Sequence, residues 1–170
     1  MKFSQLAGGN FTKLIFGLTV LAASSYTNAA NELTVEKAKA IVAPLYDALN
    51  QPSSKDVGDL LGRATSAQWT SCSSNTTCES RSEAVEKFKA IGKIIPDLKW
   101  TILDVTVSGN TAVIRGEATG TPVSTFMGIP ANGKSFRIMS IDIQKIENDK
   151  IVRSYHIEDW ASAAQQLTAH

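Results

Sequence analysis

At Leu98 the hydrophobic spacing of the chain changes from a helical period to a strand period, and it holds that period for some sixty residues, about the length of four strands. Before the change, Val35, Ala38, Ile41, Val42, Leu45 and Leu49 recur at helical spacing behind Thr34, a good N-cap. Pro44 falls inside this run and is expected to kink the helix. A short second helix is predicted over Asp56–Leu61, stopping at Gly62. Ser80-Arg81-Ser82-Glu83 reads as a capping box that opens a third helix, with Val85, Phe88, Ile91 and Ile95 on one stripe and Pro96 ending it. After the change, KWTILDVTV and AVIRGEATG flank a turn at Gly109-Asn110, and SFRIMSIDIQKIE and KIVRSYHIEDW flank one at Asn148-Asp149. Asp159 or Ser162 then starts a short final helix ending near Leu167. Helices followed by a meander of long antiparallel strands define an α+β chain rather than alternating βαβ units.

The 170 residues suffice for one domain with a proper core, but the N-terminal segment follows a different logic. Lys2 and Lys13 precede the apolar stretch Leu14–Ala23, and Thr27 and Ala29 occupy the small-residue positions of a cleavage site. This pattern predicts a secretory signal peptide over residues 1–29, cleaved after Ala29 or Ala30, and a domain over 30–170 that is periplasmic or secreted, with no membrane association after cleavage. The apolar run is too short to span a bilayer. Removing the first 29 residues leaves fifteen basic and sixteen acidic residues, scattered rather than clustered, so a nucleic-acid partner is not expected. Cys72 and Cys78, the only cysteines, bracket the polar loop SSNTT and predict a structural disulfide in an oxidising compartment. Their spacing fits neither a redox CxxC pair nor a zinc site.

The segment YHIEDW, Tyr155–Trp160, places three ionisable groups between two aromatics. With a two-residue turn at Asn148-Asp149 and regular strands, Asp142 faces Tyr155, Gln144 faces Arg153, Ser140 faces Ile157 and Ile138 faces Asp159. This face mixes apolar residues with Asp142, Gln144, Arg153, Tyr155 and Asp159, as the lining of a ligand cavity would. His156 and Glu158 then lie on the opposite face with Met139, Ile141 and Ile143, and His156 takes part in chemistry only if the strand bulges. The pairing alone does not decide which face is buried.

The residues from Ile95 to Leu167 resemble a known family. The resemblance rests on Pro96-Asp97-Leu98, on Gly120-Thr121, and on Phe126-Met127-Gly128-Ile129-Pro130 with Asn132-Gly133-Lys134. It continues through Lys145-Ile146-Glu147 with Lys150-Ile151, the aromatic Tyr155 four residues before Asp159, and Gln165-Gln166-Leu167. These are similar to the SnoaL-like polyketide cyclases and the related ester cyclases of the nuclear transport factor two-like superfamily. The resemblance implies a cone-shaped, strongly bent antiparallel sheet closed by the N-terminal helices around a cavity, a homodimer, and chemistry without metal or cofactor. It also implies that Asp159 is the general base and that its face is the concave one. One departure is Pro122, which stands where ester cyclases commonly carry a histidine.

On this reading Asp159 acts with Tyr155 or Arg153, one of which stabilises a developing enolate, and Asp142 joins the site. Trp69, Ser140 and Ile157 line the cavity, and Phe126 and Met127 form a flap over its mouth. The ligand is a small apolar or aromatic molecule, either converted or, alternatively, bound without change. No serine elbow, phosphate loop or metal-ligand set is present in the sequence. Intact-mass measurement of the exported protein is expected to show a chain starting at Ala30 or Asn31 and lighter by two hydrogens at Cys72 and Cys78. A full-length chain, or two free thiols, would contradict the reading.

Overall fold

The computed structural model describes residues 32–169, so the signal-peptide segment lies outside the described residues. Thr34 caps helix α1, Val35–Leu49, accepting a hydrogen bond from the Lys37 amide. Helix α1 runs on through Pro44 and buries Ala38, Val42, Leu45 and Tyr46. A single 3-10 turn, Pro52–Ser54, leads to α2, Val57–Ala64, which extends two residues past Gly62 and buries Leu60 and Leu61. Helix α3, Arg81–Ile94, carries both reciprocal bonds of the capping box at Ser80 and Glu83 and ends two residues before Pro96. Gly92 is required where α3 meets the 3-10 turn, because a Cβ there would lie 2.6 Å from Ser53 Oγ and 2.7 Å from Pro52 Cγ.

Four long strands follow: β3, Lys99–Ser108; β4, Thr111–Gly120; β5, Phe136–Glu147; and β6, Lys150–Glu158. Two further strands precede α3 and had no counterpart in the periodicity: β1, Thr65–Cys72, and β2, Cys78–Ser80. Strand β1 is polar apart from Ala67, Trp69 and Cys72, and it is extended because it pairs in parallel with β6, a tertiary contact that local sequence does not encode. The six strands form one curved, open sheet in the order β2-β1-β6-β5-β4-β3. The helices α1 and α2 pack inside the curve against Trp69, Leu98, Ile114 and Ile151, and helix α4, Trp160–Thr168, packs against β5 at the sheet's end. This is the expected α+β architecture of a bent sheet closed by helices.

The expected β5–β6 register is corrected at one point. Asn148 and Asp149 both adopt positive φ, 50° and 59°, as a tight two-residue hairpin turn requires. Glu147 pairs with Lys150 and Ile146 with Ile151, but Lys145 then pairs with Arg153. Val152 is an extra residue, a β-bulge, and it shifts all of β6 beyond it by one. Asp142 therefore faces His156 rather than Tyr155, Gln144 faces Ser154, and Ser140 faces Glu158. From Arg153 on, exposed residues alternate with buried or half-buried ones, so Ser154, His156 and Glu158 point inward and Arg153, Tyr155 and Ile157 outward.

Candidate functional site

The inward face of the sheet, α1 and α3 enclose a cavity of about 370 Å³. Its apolar wall comes from Leu45 and Leu49 of α1, Phe88 and Ile91 of α3, and Leu98 at the start of β3. Three indoles, Trp69, Trp100 and Trp160, complete that wall. The polar groups are concentrated on β5 and β6, where the bulge has brought Asp142, Gln144, Ser154, His156 and Glu158 together.

These groups form three hydrogen-bonded sets. The Trp69 indole N–H donates to Ser154 Oγ at 2.8 Å, and Ser154 donates to Gln144 Oε1. All three residues are buried, and the chain of bonds pairs the Trp69 N–H, the Ser154 hydroxyl and the Gln144 carbonyl oxygen. The Tyr46 hydroxyl donates to Asp142 Oδ2 at 2.7 Å. His156 Nδ1 lies 2.7 Å from Glu158 Oε1, while the Trp160 indole N–H donates to Glu158 Oε2 at 3.1 Å. Both Glu158 oxygens are thus engaged, and the carboxylate places the imidazole proton on Nδ1. No described residue hydrogen-bonds Nε2, which leaves it as the nitrogen free to take a proton.

The low-polarity surroundings shift these groups. Burial raises the Asp142 carboxyl to about 6; the Tyr46 hydrogen bond opposes this and the nearby Glu158 charge adds to it. Burial alone would lower the His156 pKa, but the Glu158 hydrogen bond and charge, helped by Asp142, outweigh it, and the net shift is upward. Burial and the Asp142 charge push the Tyr46 phenol well above its ordinary value, so it stays a donor. At the rim, Lys87 pairs with Glu79 at 3.2 Å.

Of the residues singled out from the sequence, Asp142 and Trp69 line the cavity. Ser140 is on the inward face but fully covered, its hydroxyl without a hydrogen-bond partner and 2.6 Å from where a Cβ on Gly116 would sit. Ile157 borders the cavity, yet it is 67% exposed and its register puts its side chain outside, so its main chain makes that border. Tyr155 and Arg153 are on the outer face, carried there by the bulge. Phe126 stacks on Phe136 and meets Trp160 edge to face, and Met127 is exposed on the same loop; neither lines the cavity. Asp159 lies beyond the end of β6 on the surface. It caps α4, its Oδ2 accepting from the Ser162 hydroxyl at 2.6 Å and its Oδ1 from the Ser162 amide at 3.0 Å, and these bonds lower its pKa. The structure brings Asp142 together with His156, Glu158 and Tyr46 instead. The i, i+2 spacing of His156 and Glu158 already implied one shared face; only the bulge made it the inner one.

A bent sheet and helices around a partly polar cavity define a protein of the nuclear transport factor two-like class. The chain belongs to the SnoaL-like polyketide cyclase family, whose model matches residues 40–167. No curated protein matches its sequence. Among solved structures it is similar in fold to TsrD from Streptomyces laurentii, with a TM-score of 0.69 and 22% identity over 82% of this chain and 100% of that one. A putative SnoaL-like polyketide cyclase from Jannaschia sp. CCS1 superposes with a TM-score of 0.69 and 15% identity, covering 82% of this chain and 98% of that one. IdmH, a putative polyketide cyclase from Streptomyces antibioticus, gives 0.67 and 23% identity over 76% and 96%.

The raised Asp142 pKa fixes the sign of a pH effect. A carboxyl whose folded pKa lies above its unfolded value binds its proton more readily in the folded state, so stability falls as pH rises from about 4 to about 6. Asp142→Asn removes that penalty while keeping an acceptor for Tyr46. The variant is expected to be more stable than the parent at pH 8, by on the order of 2–3 kcal/mol, with the gain vanishing near pH 4. Denaturant melts at both pH values check it; a pH-independent loss would show that the carboxylate is needed structurally.

Proposed function

We propose that the cavity binds a small apolar or aromatic carbonyl compound and moves a proton on it without a cofactor, as cyclisation by aldol closure, isomerisation and elimination all require. The observation that carries this reading is the cluster of Asp142, His156 and Glu158 deep on the sheet wall of a cavity whose helix wall is apolar, apart from the Lys87–Glu79 pair at the rim. Position favours His156 over Asp159 as the general base, because Asp159 is exposed and committed to capping α4. In this reading His156 Nε2 takes the proton from the carbon beside the carbonyl. Glu158 orients the ring and stabilises the imidazolium, and Asp142 adds a second negative charge nearby. The apolar wall and the three indoles hold the ligand's hydrocarbon body. The Cys72–Cys78 disulfide supports an exported protein in an oxidising compartment.

The outer face supports self-association. Val113, Met139, Ile143, Tyr155 and Ile157 form an exposed apolar band over three adjacent strands, and the pairs Val113–Ile143–Tyr155 run straight across it. We infer a homodimer joined through this face.

Two measurements test these readings. A nitrobenzisoxazole probe, whose ring opens when a base in an apolar pocket removes one proton, is expected to react with the protein roughly 100-fold faster than with His156→Gln. The rate is expected to rise with pH as His156 loses its proton, and Asp142→Asn is expected to move that rise to lower pH, since it removes a charge that raises the His156 pKa. Saturable binding with no His156-dependent reaction would make the protein a binder. Light scattering at micromolar concentration is expected to report a dimer that Met139→Glu converts to a monomer; a monomeric parent would remove the inferred interface.

A further inference from the structure

Resting on the reading of the cavity as a small-molecule site, we propose that the Cys72–Cys78 disulfide governs exchange through its mouth: the oxidised protein retains its ligand and the reduced protein releases it quickly. The cysteines are built into the rim. Ser71 and Ser73 flank Cys72, Glu79 follows Cys78, and all three neighbours line the cavity.

Without the covalent tie this rim is weakly held. Strand β2 is three residues long, sits at the sheet edge and pairs only with β1, through Thr70–Ser80, Ser71–Glu79 and Cys72–Cys78. A pairing that short is marginal by itself. Onward from β2, Ser80 caps α3 through exposed hydrogen bonds with Glu83, and the Lys87–Glu79 ion pair, whose lysine is half exposed, contributes little. By contrast β1 is anchored independently, by its pairing with β6 and by the buried Trp69–Ser154 bond. Opening the disulfide therefore frees β2, the Ser73–Thr77 loop and the start of α3 while leaving the sheet in place. Those are the parts that stand between the cavity and solvent.

The two cysteines also differ in exposure. Cys72 is 2% exposed, whereas Cys78 and the whole of Ser73–Thr77 are exposed. An external dithiol attacks the Cys78 sulfur, and Cys72 leaves as a thiolate that takes up a proton. The second thiol of the reagent then resolves the mixed disulfide, giving two protein thiols and one oxidised reagent. Two electrons pass from the dithiol to the protein.

The test uses the full mature chain and the neutral fluorescent probe N-phenylnaphthylamine in stopped-flow dissociation. Dissociation from the dithiothreitol-reduced protein and from the Cys72→Ser/Cys78→Ser double variant is expected to be roughly tenfold or more faster than from the oxidised protein. Hydrogen exchange is expected to lose protection only between Ser71 and about Glu86, with β4 and β5 unchanged. Equal dissociation rates, a probe that binds neither form, or a loss of protection spread through β4 and β5 would each overturn the proposal, the last by making the disulfide a general staple of the fold. Because probe binding does not need His156, a His156→Gln variant that fails to alter proton transfer would count against the catalytic reading and leave this one intact.

Discussion

Between β5 and β6 the backbone ladder must satisfy two demands at once. Ile151 belongs in the core, where it is fully buried, and Ser154 must reach Trp69 and Gln144, yet the two residues are three apart and a regular strand would send them to opposite faces. The extra residue at Val152 resolves the conflict. Once it is in place, the alternation of β6 carries His156 and Glu158 inward beside Asp142, and it carries Tyr155 and Ile157 out to the surface band. The inner site and the outer apolar face are two sides of one displacement.

The inner site works against the stability of the fold. Asp142, His156 and Glu158 are largely buried on the cavity's sheet wall, and the raised Asp142 pKa records the free energy of keeping a carboxylate there. Pairing limits that cost: Tyr46 donates to Asp142, and Trp160 and His156 occupy the two oxygens of Glu158. The Trp69–Ser154–Gln144 set is polar as well, but it is neutral: Ser154 donates to Gln144 Oε1, and only the Gln144 amide N–H groups remain to offer a ligand, as donors and not as a base. The difference between the two kinds of buried polar group is that the free nitrogen of His156, Nε2, can take a proton, whereas the Gln144 amide can only donate.

Much of the framework was legible because it is encoded locally. Thr34, the Ser80–Glu83 capping box, Pro96 and the Asn148-Asp149 turn each act within a few residues, and each falls where its chemistry indicated. The family motifs between Ile95 and Leu167 added the bent sheet and its cavity. Strand β1 was not legible, since its residues are extended only by virtue of β6. Nor was the bulge, because a one-residue insertion leaves the apolar pattern of KIVRSYHIEDW readable in either register. That single ambiguity exchanged the inward and outward halves of β6, so Asp142 was recognised on the inner face while His156 and Glu158 were assigned to the outer one. Tyr46 sat unremarked on the buried stripe of α1, since nothing local says that its hydroxyl meets a carboxylate 96 positions away.

The sequence by itself determined the class of the fold, the caps that open α1 and α3, the tight turns, the pairing of the two cysteines and the membership of a family, because periodicity, capping and turn chemistry act over a few residues. Tertiary structure decided which ionisable groups share the cavity, that Asp159 caps a helix on the surface, and that the disulfide lies on the cavity's rim. Those outcomes depend on the parity of one strand and on contacts between distant segments, where a single residue of displacement turns a side chain through half a revolution.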